Sequence, residues 1–306
     1  MAKIFIDGES GTTGLGIGAR LAAIPDIERV SLPQAQRKNA QAKAALLREI
    51  DLVILCLPDD AARETVDLVA GLGEAGPRIL DASTAHRVGD GWVYGFPELT
   101  AGQAQAIAKA KRVSNPGCYA TGAIALLRPL VDAGLMPADS SITINAVSGY
   151  SGGGKTMIAA HEAGQAPAFE LYGLELEHKH VPEIMAYGGL KARPIFVPSV
   201  GAFAQGMLVT IPLFLDTLPG HPKGRDLEAA LREHYSASRF VRVMASEPAR
   251  LEPQSLNDSN ALELRGFVNE TRRQAVLVAK LDNLGKGASG AAVQNLALML
   301  GLDLQA

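Results

Sequence analysis

A chain of 306 residues with net charge −3 and a pI near 6.1 has no Lys/Arg block, which excludes a phosphate-backbone footprint and leaves no nucleic-acid partner expected. Hydrophobic residues at 47% against 20% charged suffice for large buried cores, and the length predicts two domains. Cysteines at positions 56 and 118 alone exclude a disulfide framework and a cysteine zinc site; with no secretory segment and no 18-residue apolar run, the expectation is a cytoplasmic protein without a membrane partner.

Residues 3–7 read as a short buried strand, 8–14 as a glycine-rich turn, and 15–23 as a helix ended before Pro25. A strand at 29–32, a helix at 40–50, an apolar strand at 52–57, a helix at 61–71 and a strand at 78–81 follow. This alternation predicts an α/β half, a Rossmann-type dinucleotide-binding domain with a parallel sheet covered on both faces. After Cys118 the pattern changes. A helix at 119–133 precedes strands at 141–148, 195–200, 206–214, 241–244, 262–268 and 274–281. Strands without intervening helices predict an α+β domain with a mostly antiparallel sheet. An apolar helix at 288–300 ends the chain.

Gly8, Gly11 and Gly14 stand between a strand and a helix, the context for a pyrophosphate at a helix N-terminus, with Ser10, Thr12 and Thr13 as hydroxyl donors. The spacing is G-x-x-G-x-x-G rather than the commoner G-x-G-x-x-G, so a plain tight turn is the competing reading. The second strand ends in Ser31-Leu32-Pro33 without a carboxylate, and Arg37 and Lys38 follow. That favours the 2′-phosphate of NADP(H) over the ribose diol of NAD, unless the two cations are only a solvated loop pair.

Asn115-Pro116-Gly117-Cys118-Tyr119 presents a thiol at a helix start, where the backbone N–H groups and the helix dipole favour a thiolate and offer an oxyanion site. Cys56, inside an apolar strand, reads as a small buried hydrophobe. His178 and His180 lie two apart and share a face if their segment is extended; Pro182 starts a helix with Glu183 in its first turn. A His/His/Glu metal site is disfavoured because the i, i+4 histidine spacing of H-E-x-x-H is missing. Gly149–Thr156 matches G-x-x-x-x-G-K-[ST], which alone argues for a nucleotide triphosphatase or kinase. Its place in the antiparallel half, and the lack of a convincing Walker-B aspartate, argue against that.

Taken together, Asn115–Tyr119, the Gly8–Gly14 loop, Glu177–Ile184 and Asp282–Gly287 resemble N-acetyl-γ-glutamyl-phosphate reductase in its shorter type 2 form, over residues 3 to about 300. Aspartate-semialdehyde dehydrogenase shares that fold and chemistry. The resemblance implies an NADP-binding domain of residues 1–117 with 288–306, and a catalytic and dimerisation domain of residues 118–287. It implies a histidine of Glu177–Ile184 as the acid/base partner of the nucleophile Cys118; His180 is preferred because it sits nearest the Pro182-Glu183 turn, His178 comes second, and Glu183 can orient either ring. It implies Ser83 and Arg87 near the reactive phosphate and Ser148–Lys155 as a substrate-facing loop; an acidic substrate needs cations, which makes Lys155 a further candidate contact, and Asn115 is another. Asn283 and Asn295 are implied near the nicotinamide, and His86 receives no role. The implied reaction is NADPH-dependent reduction of an acidic acyl phosphate, N-acetyl-γ-glutamyl phosphate, to its semialdehyde through a Cys118 thioester, in arginine biosynthesis. Another acyl phosphate is the alternative, and a redox sensor of the same fold a further one. A homo-oligomer, dimer or tetramer, is expected.

Overall fold

The computed structural model describes residues 1–37, 39–247 and 249–303. They divide into two compact units, Met1–Pro97 with Gly102–Pro116 and Ala288–Ala306, and Glu98–Ala101 with Gly117–Gly287.

The first unit runs β1 (Ala2–Asp7), α1 (Thr12–Leu21), β2 (Ile27–Val30), α2 (Ala40–Leu47), β3 (Leu52–Leu55), α3 (Asp59–Ala70), β4 (Arg78–Asp81), β5 (Val93–Tyr94), α4 (Gln103–Lys109) and β6 (Arg112–Ser114). The six strands form an all-parallel sheet in the order β2-β1-β3-β4-β6-β5. Side chains alternate across such a sheet. Ile4, Ile6, Leu52 and Ile54 therefore face one layer, where Ala292, Leu296 and Met299 of the C-terminal helix Gly290–Leu300 pack. Phe5, Val53 and Leu55 face the other, against Leu47, Ala62 and Val66. The chain leaves β1 towards β2 on one side, while β3 leads to β4 on the other. The carboxyl ends of β1 and β3 thus form the switch point at which open α/β sheets bind ligands.

The second unit runs α5 (Cys118–Asp132), β7 (Thr143–Gly149), α6 (Gly154–Glu162), β8 (Phe169–Leu171), α7 (Val181–Gly188), β9 (Ile195–Gly201), β10 (Met207–Phe214), α8 (Gly224–His234), β11 (Val241–Val243), β12 (Leu262–Asn269) and β13 (Gln274–Leu281). Its sheet order is β11-β12-β13-β10-β7-β9-β8. Four pairings are antiparallel, and β7–β9 and β11–β12 are parallel, so the sheet is mixed. The strand-only pattern expected of this half omits α6 and α8. A parallel β7–β9 pair needs a crossover, and the stretch carrying α6 and α7 supplies it. Among the described residues no helix is long and apolar enough to cross a membrane.

Candidate active site

Cys118 is the first residue of α5, with Gly117 as the extended N-cap. The first N–H groups of a helix have no intrahelical acceptor, so this turn directs donors and the positive dipole end at whatever the sulfur binds. Three contacts fix it. The N-cap amide of Gly117 donates to Glu183 Oε2 at 3.0 Å, with Glu183 only 1% exposed. Thr121 Oγ1 bonds back to Gly117 O at 3.0 Å. The backbone at Gly287 lies so close that a Cβ there would stand 2.8 Å from Cys118 Cβ. Beside Gly287, the buried Lys286 Nζ holds both oxygens of Glu98 at 2.9 Å; burial pulls its ammonium below the usual lysine range while Glu98 opposes the shift. Sequence reasoning gives Lys286 no role within Asp282–Gly287, and Glu98 carries no signal there at all.

The histidines meet differently from the extended geometry expected of them. Their segment is a turn running into α7, and the two rings stand edge to face, centroids 4.7 Å apart. The backbone N–H of His180 donates to His178 Nδ1 at 3.1 Å, which puts the neutral His178 proton on Nε2, 3.4 Å from the Tyr172 hydroxyl. Both nitrogens of His178 are therefore committed within the protein. His180, 5% exposed, caps α7, and its ring lies 5.8 Å from that of Tyr119, the residue after Cys118. Burial, with Tyr172 and Cys118 nearby, pushes the Tyr119 phenol well above its ordinary value, so it stays protonated and donates to Ser199 O at 2.9 Å. The bond that Glu183 is seen to make supports the nucleophile turn.

In the first unit, Gly8 ends β1 at φ +92, where a Cβ would overlap the Cys56 carbonyl. Gly11 caps α1, which begins at Thr12 and Thr13. A cavity of about 410 Å³ opens beside this turn, lined by Glu9, Ser10, Gly14, Leu15, Gly18, Arg29, Ser31 and Arg37. Ser10, Gly14, Ser31 and Arg37 are thus brought together as the sequence reading expects; Lys38 lies outside the described residues. Two members went unread. Arg29 is anchored on Gly18 O at 3.1 Å. Glu9 accepts Ser31 Oγ at 2.7 Å and pairs with Arg37, so the acidic group missing from the end of β2 arrives from the glycine loop. Helix-start amides with Arg29 and Arg37 fit a dinucleotide's phosphates.

The other expected residues are braced. Asn295, fully buried, donates to Gly95 O at 2.8 Å and Asn115 Oδ1 at 3.1 Å, while Asn115 donates to Ala288 O at 3.0 Å. Asn283, expected at the nicotinamide, lies in the second unit, accepts Gly206 N–H and donates to Ser151 Oγ, each at 2.9 Å. Ser83 Oγ donates to Asp81 Oδ2 at 2.7 Å and accepts Ala85 N–H at 3.1 Å; Arg87 is 8% exposed. Lys155 is exposed on α6. In the Gly149–Thr156 loop, the amides of Tyr150 and Ser151 donate to Phe203 O at 2.9 Å and Ala204 O at 3.1 Å instead of framing a phosphate cradle.

Residues 18–109 match the semialdehyde dehydrogenase NAD binding domain, and residues 118–283 the semialdehyde dehydrogenase dimerisation domain. The chain is 54% identical over 305 residues to N-acetyl-gamma-glutamyl-phosphate reductase 2 of Pseudomonas putida, covering 97% of this chain and 96% of that one. It is likewise 54% identical over 307 residues to N-acetyl-gamma-glutamyl-phosphate reductase of Chelativorans sp., covering 98% of each. Among solved structures, aspartate semialdehyde dehydrogenase II complexed with ASA from Vibrio cholerae matches with a TM-score of 0.75 at 13% identity over 98% of each chain. Aspartate semialdehyde dehydrogenase with NADP from Candida albicans matches with a TM-score of 0.70 at 15% identity, over 98% of this chain and 99% of that one. The last two likenesses concern the fold alone.

Proposed function

Because the chain belongs to the N-acetyl-γ-glutamyl-phosphate reductases of the semialdehyde dehydrogenase family, we propose that it reduces N-acetyl-γ-glutamyl phosphate to N-acetylglutamate semialdehyde and orthophosphate, the arginine-biosynthetic step. The observation that carries this reading is Cys118 at the first turn of α5, with the preceding amide gripped by the buried Glu183. His180 takes the thiol proton, and the thiolate attacks the γ-acyl carbon. The carbon–oxygen bond to phosphate breaks, orthophosphate leaves, and a thioester remains on Cys118. NADPH, when bound, supplies a hydride to that acyl carbon. First-turn N–H groups of α5 hold the oxyanion on the resulting Cys118 adduct. Its collapse breaks the carbon–sulfur bond, releases the aldehyde, and returns the proton from His180 to sulfur. His180 is favoured over His178 because both nitrogens of His178 are already engaged.

The cofactor loop Gly8–Gly14 holds the pyrophosphate, and Arg37, released from Glu9, and Arg29 take the 2′-phosphate of NADP. Arg87 serves the phosphoryl group of the substrate, since its planar fork matches phosphate oxygens. Edge strand β8 exposes Phe169 and Leu171, with Leu174, Leu176 and Ile195 also exposed, which supports a homo-oligomer. The working compartment is the cytoplasm.

The test is mass spectrometry of the enzyme with acyl phosphate and no NADPH. The expected result is an N-acetylglutamyl adduct on Cys118, absent from Cys118→Ser; an unmodified Cys118 defeats the reading. Phosphate-dependent NADP reduction assayed with N-acetylglutamate and aspartate semialdehydes side by side assigns the acyl group.

A further inference from the structure

The loop after β4 contains a histidine that the proposed reaction leaves without work. Asp81, at the carboxyl end of β4, is completely buried. Its carboxylate accepts Ser83 N–H at 2.8 Å, Ser83 Oγ–H at 2.7 Å and His86 Nδ1 at 2.6 Å. A carboxylate only accepts, so Nδ1 carries the hydrogen. The His86 ring stacks on Trp92, centroids 4.3 Å apart and planes 16° from parallel. The loop is anchored independently at Thr84, whose N–H and Oγ both donate to Asp59 Oδ1 at 2.9 Å. Neighbouring strand ends bracket it: Ala82 N–H bonds Leu55 O at 2.9 Å, and Asn115 N–H bonds Asp81 O at 2.7 Å.

This much order exceeds what a surface loop needs. A buried carboxylate is costly unless its oxygens find donors; the Nδ1–H of His86 is one of three here, which leaves Nε2 as the ring's other polar atom. The same division of labour fixes histidines in catalytic and metal sites: a carboxylate takes one ring nitrogen and sets the other for the ligand. The ring is 13% exposed, the loop lies at the carboxyl ends of parallel strands, and the next residue is the buried Arg87. Ser83, by contrast, has its hydroxyl hydrogen engaged by Asp81.

We propose that His86, held through Nδ1 by Asp81 and stacked on Trp92, is a phosphate-binding residue whose Nε2 hydrogen-bonds the phosphoryl group beside the Arg87 guanidinium. The inference rests on the acyl-phosphate reductase reading, which supplies the phosphoryl ligand; the site itself accepts orthophosphate alone. It changes the expected donor set of this loop from Ser83 and Arg87 to His86 and Arg87, with Ser83 as a brace.

The experiment is titration calorimetry of orthophosphate into the full-length protein with saturating NADP, for wild type and His86→Phe. Phenylalanine keeps the ring against Trp92 and removes both nitrogens. The expected result is a loss of orthophosphate affinity of roughly tenfold or more, as for a charged hydrogen bond, with NADP affinity little changed and a lower melting temperature from the Asp81 carboxylate that loses a donor. The orthophosphate KM in NADP reduction should rise in step, leaving the aldehyde KM in place. If the stranded Asp81 carboxylate prevents His86→Phe from folding, Asp81→Asn/His86→Phe carries the same measurement. Equal affinity in wild type and variant, or no binding to wild type, overturns the proposal. A fall in melting temperature with orthophosphate affinity intact assigns His86 a structural role and overturns it too. A wild type that binds orthophosphate but does not reduce NADP with N-acetylglutamate semialdehyde would instead sink the reductase reading and leave the site standing.

Discussion

Glu183 Oε2 accepts the N–H of Gly117 at 3.0 Å, so a carboxylate in the first turn of α7 holds the N-cap of the helix that begins at Cys118. An N-cap Ser, Thr, Asp or Asn supplies such an acceptor from its own side chain. Gly117 has none, and the support comes from 66 residues further along the chain. Glu183→Ala should leave a buried donor unmatched and cost about 1–3 kcal/mol in urea denaturation, together with a fall in kcat. Glu183→Gln retains a carbonyl oxygen for the same N–H and should cost less on both counts. Equal damage from the two variants would show that the charge, and not the acceptor, is what matters.

Gly287→Ala should act on the nucleophile directly. The added Cβ meets Cys118 Cβ at 2.8 Å and the Asp282 carbonyl at 3.1 Å, neither of which is a flexible side-chain end. Displacing a reacting atom by a fraction of an ångström to an ångström can lower turnover by about one to two orders of magnitude. NADPH binding, measured by fluorescence titration, should be unaffected. Wild-type turnover in Gly287→Ala would mean that the close approach carries no catalytic consequence.

The pairing of Glu9 with Arg37 makes a prediction about cofactor choice. Arg37→Ala should weaken NADPH by about tenfold and leave NADH almost unchanged, because only NADPH has a 2′-phosphate to lose. Glu9→Gln removes the competitor for Arg37 and should tighten NADPH. Parallel titrations of both nucleotides decide it; equal weakening of the two by Arg37→Ala removes Arg37 from the 2′-phosphate.

The two cysteines should separate by reactivity. Burial, reinforced by Asp81 and Asp7, pushes the Cys56 thiol up to about 12, so iodoacetamide near pH 8 should label Cys118 and spare Cys56. Cys118→Ser should then take up no label. The same shift bears on stability. An unfolded thiol ionises near its ordinary value of 9.0 while the folded one holds its proton to about 12, so ionisation favours the unfolded state as pH climbs between those values. Urea denaturation at rising pH should show a decline that Cys56→Ala makes shallower.

The glycine turn and its helix were legible because Gly8, Gly11 and Gly14 punctuate an abrupt change from strand to helix periodicity, and Cys118 because Asn115-Pro116-Gly117 announces a helix start. Helix α8 was legible in principle, since Leu227 and Leu231 bury one face at i, i+4, yet its polar composition hid it among strands. The parallel pairing of β7 with β9 could not be read, because strand partners are chosen by tertiary packing. Glu9 meeting Arg37, Asn295 meeting Asn115 and Asp81 meeting His86 span 28, 180 and 5 residues; even the shortest depends on how one loop turns. Residue type advertised the donors, and only the fold decides which are already engaged.

The nucleotide-binding sheet is finished by the last helix of the chain. Ala292, Leu296 and Met299 complete the same core as Ile4, Ile6, Leu52 and Ile54, and Asn295 anchors Asn115 and Gly95. A ribosome that has finished the nucleotide-binding strands has therefore not yet supplied the layer that covers them.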